Sequence, residues 1–177
     1  MNIEEFFLKS VGEWNSMRSG HSLAFQEFEE IRSKIKIFPS KRNDLRVIKF
    51  LKDNSINTNA VNKTFLINWE AKSEWIEENQ EGNSSGESIL VPIEISKKEG
   101  KIIRSFGYTE AVKVVSLYKI LDDGTLIIYS DYSHTCTEER IWFVSKNLRS
   151  RFSVTRSIDS LAILQTSYAS EIRALKK

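Results

Sequence analysis

Basic residues are concentrated in one stretch near the end of the chain. Residues 140–156 include five of them and no acidic residue. Within this stretch Arg149, Arg151 and Ser153 alternate with apolar residues, so a β-strand would place both guanidinium groups and the hydroxyl on one face. A guanidinium can bind a carboxylate through two parallel hydrogen bonds, so the pattern fits an anionic ligand. The same alternation is typical of a strand whose polar face lies in water and whose apolar face lies in the core.

Two tryptophans, Trp69 and Trp75, are six residues apart in the sequence. If one strand carries both, they share a face, because side chains on a strand alternate with a period of two. A flat aromatic wall of this kind suits a conjugated ligand, and ordinary core packing is the alternative interpretation.

The common catalytic and metal-binding signatures are missing. There is no Gly-x-Ser-x-Gly turn, no phosphate-binding glycine loop and no His-Glu-x-x-His motif. A metal site would need both histidines, His21 and His134, together with carboxylates, and we expect no metal. Cys136 is followed by Glu138 and Glu139, whose charges oppose the formation of a nucleophilic thiolate. Because it is the single cysteine, a disulfide framework is excluded.

The overall composition is that of an ordinary globular protein. The 177 residues are 40% hydrophobic and 28% charged, with a formal net charge of +2. This length predicts one domain over residues 1–177. The near-neutral charge argues against nucleic acid as a partner, and no apolar stretch approaches the length of a membrane span. The lone cysteine and the lack of a signal-peptide pattern predict the cytosol or the interior of an organelle.

The elements that must position these residues are mostly β-strands. A short helix is expected at Ile3–Ser10 and an inserted helix near residues 43–53, with Asn43 as its cap. Short apolar runs and turn sequences follow, and residues 122–124 (Asp-Asp-Gly) are a strong hairpin signal. Pro92 predicts an edge or a bulge in its strand. We predict a mainly β protein of eight to ten antiparallel strands, closed into a barrel that removes exposed edges, with a sandwich as the alternative.

The start of the first long strand carries a motif that supports a barrel. Gly12-Glu13-Trp14 follows the short N-terminal helix. This resembles the Gly-x-Trp start of the lipocalins, in which the tryptophan plugs the closed end of the barrel and a basic residue of the last strand packs over it. Arg173 is placed to take that role, because an arginine over an indole makes a favourable cation–π contact. The resemblance implies a lipocalin-like barrel.

Longer patterns resemble the CpcS/CpeS-type (S-type) phycobiliprotein lyases. They comprise Phe6-Phe7, residues 12–25, Trp69-Glu70, residues 139–153 and residues 170–173, in the order of the family and over nearly the whole chain. The resemblance implies a calycin barrel that binds an open-chain bilin as a substrate, with no prosthetic group. It also implies that the bilin is attached through a thioether to a cysteine of an apo-phycobiliprotein subunit.

The resemblance implies roles for individual residues. Glu139 matches an acid that faces the bilin pyrroles and Arg149 an arginine implicated in bilin binding, so these two are the expected catalytic pair. The expected bilin-binding set is Arg18, Trp69, Trp75, Arg149, Arg151 and Ser153. One departure from the family pattern is Gly20, where relatives often carry a second histidine before His21.

The implied chemistry follows from the ligand. A bilin has two propionates, four pyrrole-type rings and a reactive ethylidene group. Arginines would neutralise the propionates, and a carboxylate would accept hydrogen bonds from the pyrrole nitrogens and favour their protonation. Protonation makes ring A more electrophilic toward a thiol. The protein would then act mainly by orienting the pigment, with a general-acid contribution.

The local sequence patterns are most similar to those of the phycoerythrin-type members of the family. This favours phycoerythrobilin as the substrate and phycoerythrin as the acceptor. One alternative is a lipocalin-type carrier of a bilin or another hydrophobic ligand, without transfer. Another is an RNA- or protein-binding barrel with residues 140–156 on its outside. The sequence leaves both a monomer and a homodimer open. The expected location is the cytoplasm or the plastid stroma.

Glu139 and Arg149 can face one cavity only if the turn between their strands has the right length. A two-residue loop at Lys146-Asn147 with direct pairing would put them on opposite faces of the sheet. A β-bulge or an odd-length loop would put them on the same face. We predict the second arrangement.

Overall fold

The computed structural model describes residues 1–41, 43–73, 83–105 and 113–174. Ten strands and two helices follow one another along the chain. The elements are α1 (Ile3–Ser10), β1 (Gly12–Ser22), β2 (Glu27–Pro39), α2 (Leu45–Asp53), a short 3-10 helix (Thr58–Ala60), β3 (Phe65–Ser73), β4 (Asn83–Glu94), β5 (Glu99–Ser105), β6 (Lys113–Ile120), β7 (Leu126–Asp131), β8 (Thr135–Ser145), β9 (Leu148–Ser157) and β10 (Ile163–Arg173). Each strand pairs antiparallel with its sequence neighbour, and β1 closes on β10. This confirms the predicted lipocalin-like barrel with its N-terminal and inserted helices.

Helix α1 closes one end of the barrel. Asn2 and Glu5 form a capping box that fixes its start, because each side chain binds the backbone N–H of the other residue. Its buried face then joins apolar side chains from the strands. This inner core consists of Ile3, Phe6, Phe7, Phe65, Leu90, Ile102, Tyr118, Ile120, Leu126, Ile128 and Ile141. Burying each large apolar side chain contributes about 1.5–3 kcal/mol, so this end supplies much of the folding energy.

Helix α2 covers the outside of the barrel rather than its interior. Val47 packs on a second apolar cluster, formed by the outward side chains of β3, β4 and β5 (Leu66, Ile89, Val91 and Ile103). The N-cap of α2 is Asp44, whose carboxylate accepts the backbone N–H of Arg46. The expected cap at Asn43 is therefore wrong by one residue, because the first helical residue is Leu45.

Pro92 lies where β4 outlasts its neighbour. The pairing of β3 with β4 ends at Leu90, whereas Pro92 pairs with Ile102 on β5. A proline has no N–H to donate, so it is best tolerated where one side of a strand is free. Beyond Leu90, β4 therefore has a free edge on the side of β3, as expected, although the barrel is closed elsewhere.

Trp14 plugs the closed end. Its side chain is buried, and its indole N–H donates to the carbonyl of Ser10 at 2.8 Å. The guanidinium carbon of Arg173 lies 4.2 Å from the centre of a Trp14 ring, and Arg173 also donates to backbone carbonyls at the end of α1. The predicted packing of Arg173 over Trp14 is confirmed. A second guanidinium, from Arg149, also lies over the indole at 4.8 Å, which the sequence did not predict.

Candidate functional site

The predicted site residues of β8 and β9 face the interior of the barrel. Phe143 pairs with Arg149 and Glu139 pairs with Ser153, and residues directly opposite each other share a face. Phe143 packs against the inner core, so Glu139, Arg149, Arg151 and Ser153 all point inward. The interpretation that placed the polar face of this strand in water is wrong.

The hairpin between β8 and β9 contains a β-bulge. Phe143 pairs with Arg149, whereas Ser145 pairs with Leu148, so Val144 is an extra residue on β8. With direct pairing through the two-residue loop, the acid of β8 would face away from the arginines of β9. The predicted arrangement on one face is confirmed, and it is a β-bulge rather than an odd-length loop that brings both expected catalytic residues to the same side of the sheet.

A buried carboxylate on β10 ties these side chains together. Arg149 Nε donates to Glu171 Oε2 at 2.5 Å, and the two side chains are only 2% and 1% exposed. Arg151 Nη2 lies 3.4 Å from Glu171 Oε1, and Arg151 Nη1 donates to Glu139 Oε1 at 3.1 Å. Two arginines and two glutamates therefore form one network with balanced charge, which we call the arginine–glutamate network (Glu139, Arg149, Arg151 and Glu171).

The charges of this network determine the protonation of its central carboxylate. Burial by itself raises the pKa of Glu171, but the neighbouring charges of Arg151 and Arg149, with the hydrogen bond from Arg149, outweigh burial. The pKa of Glu171 is therefore lowered from its ordinary value of 4.5. Glu171 is an anion at neutral pH, as two adjacent guanidinium groups require.

The network retains two hydrogen-bond donors that other described residues do not use. Arg149 Nη2 and Arg151 Nε are buried, and neither has an acceptor within the described ranges. Buried N–H groups without an acceptor are rare, because each one loses its bonds to water. These two atoms are therefore places where a ligand oxygen would be favourable.

Arg18 lies across β10 from the network. In the barrel wall Arg151 pairs with Ala169, and Ala169 pairs with Arg18, so the small alanine separates two inward-facing arginines. Arg18 Nη2 donates to Glu29 Oε1 at 3.1 Å, and both side chains are 41% exposed. In the next row a Cβ on Gly20 would lie 3.2 Å from Glu29 Cγ, so this position has little room for a larger residue.

Trp69 forms part of the opposite wall. It shares a strand face with Phe65, which lies in the inner core, but Trp69 belongs to neither apolar cluster and is half-buried. Its cross-strand partner is Gly86, where a Cβ would lie 2.2 Å from Trp69 Cζ2. The glycine thus provides the space that the indole occupies. Trp75 lies outside the described residues, so the proposed wall of two tryptophans stays a prediction.

The remaining polar features divide between inside and outside. Ser153 shares a 2.8 Å hydrogen bond with Ser167 of β10, next to Glu139. His21 lies on the outer face, where its ring is 4.9 Å from that of Phe28. Arg140 also points outward, where it pairs with Glu138 at 2.7 Å. The basic residues at 149 and 151 therefore do not form part of an outer stripe.

The described ranges contain neither a metal-binding cluster nor a membrane-spanning helix. No group of three or more histidine, cysteine, aspartate or glutamate side chains there is arranged to hold a metal ion. Among the helices of those ranges, none is long and apolar enough to cross a membrane.

Sequence reasoning missed Glu171 as the centre of the site. It was noticed only as part of the pattern at residues 170–173. A possible signal was its parity with Arg173, since both lie on β10 with one residue between them and Arg173 was expected at the barrel end. Its pairing with Arg149 depends on the register between β9 and β10, which composition does not reveal.

Comparison with known proteins agrees with this geometry. The family model described as CpeS-like protein matches residues 2–174. Chromophore lyase CpcS/CpeS 3 of Trichodesmium erythraeum is 40% identical over 176 residues, covering 98% of this chain and 100% of that protein. Putative phycoerythrobilin lyase CpeS of Microchaete diplosiphon is 34% identical over 151 residues, covering 84% of this chain and 66% of that protein.

A solved structure gives the same result. The S-type phycobiliprotein lyase CPES from Guillardia theta matches with a TM-score of 0.86 and 30% identity, over 100% of this chain and 95% of that one. The whole fold is therefore shared, together with nearly a third of the residues. The chain belongs to the CpeS-like family of CpcS/CpeS chromophore lyases.

Proposed function

We propose that this protein binds an open-chain bilin inside the barrel and attaches it to a cysteine of an apo-phycobiliprotein subunit. The family of chromophore lyases supports the activity. The observation that carries the site is the arginine–glutamate network, which places charged groups and two unused N–H donors on the inner wall. Charged groups inside a barrel are costly unless they are paired or serve a ligand.

Glu139 is the network member best placed to act on the pigment. Its carboxylate uses Oε1 to accept from Arg151, and no described residue donates to Oε2. An anionic oxygen that accepts pyrrole N–H bonds stabilises the protonated tetrapyrrole, and this raises the electrophilicity of ring A. The thiol of the acceptor then adds across the ethylidene double bond. Sulfur bonds to the exocyclic carbon and the thiol proton ends on the tetrapyrrole, so no oxidant is needed and nothing leaves.

Arg149 acts on this chemistry indirectly, through its contacts with the other members of the network. Its side chain is nearly fully buried between Trp14 and Glu171. It holds Glu171, Glu171 holds Arg151, and Arg151 holds Glu139. We assign Arg149 an effect on catalysis through this chain of contacts, together with its Nη2 group, which has no acceptor among the described residues and could donate to a ligand carboxylate.

The other predicted residues complete the pocket. Ser153 adjoins Glu139 and offers a hydroxyl, and Trp69 offers a π-face for a conjugated ring. Arg18 offers a partly exposed guanidinium across Ala169. We propose that all three contact the bilin, and Trp75 remains a further candidate by sequence.

The preferred pigment is phycoerythrobilin and the preferred acceptor is a phycoerythrin subunit. Support comes from the relative in Microchaete diplosiphon, which is named a putative phycoerythrobilin lyase. A thiol acceptor must stay reduced before it reacts, so we place the reaction in the cytoplasm or the plastid stroma.

The test is a titration of the protein with phycoerythrobilin, followed by absorbance, and a transfer assay with an apo-phycoerythrin subunit. In Glu139→Gln the side chain keeps its shape but loses its charge. We expect a Kd about tenfold higher, from the loss of a charge-assisted hydrogen bond, together with a weaker signal of the protonated pigment. Glu138→Gln is the matched control, because Glu138 precedes Glu139 and faces outward.

Two results would count against parts of this proposal. Identical spectra and adduct yields for Glu139→Gln and the wild type would remove Glu139 from the site. Tight binding by the wild type with no denaturation-resistant adduct, beyond what free pigment gives, would favour the alternative of a bilin carrier.

A further inference from the structure

Another arginine, Arg104, lies inside the barrel, away from the arginine–glutamate network. It follows Ile102 by two positions on β5, and Ile102 belongs to the inner core, so both side chains point inward. Its neighbours across the sheet are Leu90 and Val114, both buried. β5 ends at Ser105, so Arg104 sits half-buried at the end of the barrel opposite α1.

The partners of Arg104 are hydroxyl groups. Arg104 Nη2 donates to Ser130 Oγ at 3.2 Å and to Tyr132 Oη at 3.1 Å. Ser130 is buried and is itself fixed by a 2.7 Å hydrogen bond with the buried Ser116. One nitrogen of the guanidinium is therefore held by hydroxyls at the end of β7, and these neutral groups leave its charge uncompensated.

Three other inward-facing arginines pair with carboxylates, whereas Arg173 donates to backbone carbonyls at the closed end of the barrel. Arg149 and Arg151 pair with Glu171 and Glu139, and Arg18 pairs with Glu29. For Arg104, no carboxylate of the ranges 1–41, 43–73, 83–105 and 113–174 lies within ion-pair distance. Its Nε and Nη1 atoms have no acceptor in the same ranges, so the guanidinium keeps N–H groups that can donate to a carboxylate, beside the Nη2 atom that Ser130 and Tyr132 hold.

The position of Arg104 suits a ligand that also reaches Glu139. Ser130 on β7 pairs with Thr137 on β8, and Thr137 precedes Glu139 by two residues on the same inner face. Arg104 and Glu139 are thus three strands apart around the wall, about 14 Å at the usual strand spacing, and they are also offset by four residues along the strand direction. A linear, multi-ring ligand that places one part against Glu139 can place an acidic side chain at Arg104.

We propose that Arg104, held by Ser130 and Tyr132, binds a propionate carboxylate of the bilin near the open end of the barrel. This inference rests on the proposed function and deepens it, because it assigns an anion site on strands β5–β7, outside the network. The Tyr132 hydroxyl, which accepts from Arg104, has its own proton available for a second oxygen of the same carboxylate.

The test compares phycoerythrobilin with its dimethyl ester, which keeps the ring system and removes both carboxylate charges. Binding of each is titrated to the wild type, Arg104→Gln and Arg104→Lys. We expect Arg104→Gln to raise Kd for the free acid about tenfold and to leave Kd for the ester nearly unchanged. Arg104→Lys keeps the charge but replaces the planar guanidinium with a single ammonium group, and we expect an intermediate value.

The matched control is Arg140→Gln, which removes an arginine of the outer face that pairs with Glu138. It should leave both Kd values unchanged, and thermal melting of all variants checks that they fold. Equal effects of Arg104→Gln on the acid and the ester, or no effect on either, would overturn the carboxylate site while the proposed function stands. A wild type that binds neither pigment would overturn both.

Discussion

The two inner walls of the barrel hold their arginines in different ways. On β8–β10, Arg149 and Arg151 are neutralised by Glu171 and Glu139, at distances of 2.5–3.4 Å. On β5–β7, Arg104 meets only the hydroxyls of Ser130 and Tyr132. The first wall is nearly complete without a ligand, whereas the second has a charge that only an anion from outside can balance, judged on the described part of the chain.

This difference separates two functions of buried charge. A charge removed from water needs a partner, and the network supplies one for Arg149 within the protein. Arg104 is less deeply buried, so water can stabilise its charge until a ligand arrives. We therefore expect changes in the network to alter stability most, and changes at Arg104 to alter ligand binding most.

The largest effect on stability should come from Glu171→Gln. It removes the carboxylate between Arg149 and Arg151 and leaves a buried guanidinium without its counter-charge. The free energy of unfolding should fall by about 3–5 kcal/mol, measured by urea denaturation. Glu99→Gln is the control, since its pair with Lys119 is exposed and should contribute less than about 1 kcal/mol. Equal small losses in both variants would break the contrast between the walls.

The same carboxylate predicts how stability depends on pH. Because the pKa of Glu171 is lowered from 4.5 in the folded protein, its contribution is fully present above pH 4.5. That contribution is lost as the pH falls through the folded-state pKa, with a slope of up to about 1.4 kcal/mol per pH unit. Urea denaturation between pH 5 and pH 3, run as a series, measures the slope. A Glu171→Gln variant with the same slope as the wild type would show that other carboxyl groups control acid unfolding.

The smallest change in stability should be that of Arg104→Met. This side chain is half-buried and has only hydroxyl partners, so its removal should change the free energy of unfolding by about 1 kcal/mol or less. The matched variant on the other wall, Arg149→Met, should lose about 2–4 kcal/mol, because it breaks a buried ion pair. Thermal and urea denaturation of the pair give the comparison, and a larger loss at Arg104 would reverse it.

The architecture could be predicted because it depends on local patterns. Turn residues and strand-forming runs indicated eight to ten antiparallel strands, and the position of Gly12-Glu13-Trp14 indicated where the barrel starts. The contact of Trp14 with Arg173 then followed from the resemblance to lipocalins and is confirmed.

The site was only partly predictable, because alternation gives two faces without saying which is inside. Around Arg149 and Arg151 the usual order is inverted, with charges inward and Phe152 outward. Arg104 had no local signal, and Glu171 had only its place in the pattern at residues 170–173 and its parity with Arg173. The partners of each residue lie on other strands, and the strand register of the whole barrel decides which side chains meet.

The bulge at Val144 also bears on how this hairpin can change length. Because Val144 is the extra residue, a chain that lacks it would still align Phe143 with Arg149, and Glu139 would still face Ser153. One insertion into a regular hairpin therefore yields the present form, and one deletion reverses it, without altering any other strand. Related chains can thus differ by one residue at this turn, while every interior residue keeps its cross-strand partner and stays on the inner face.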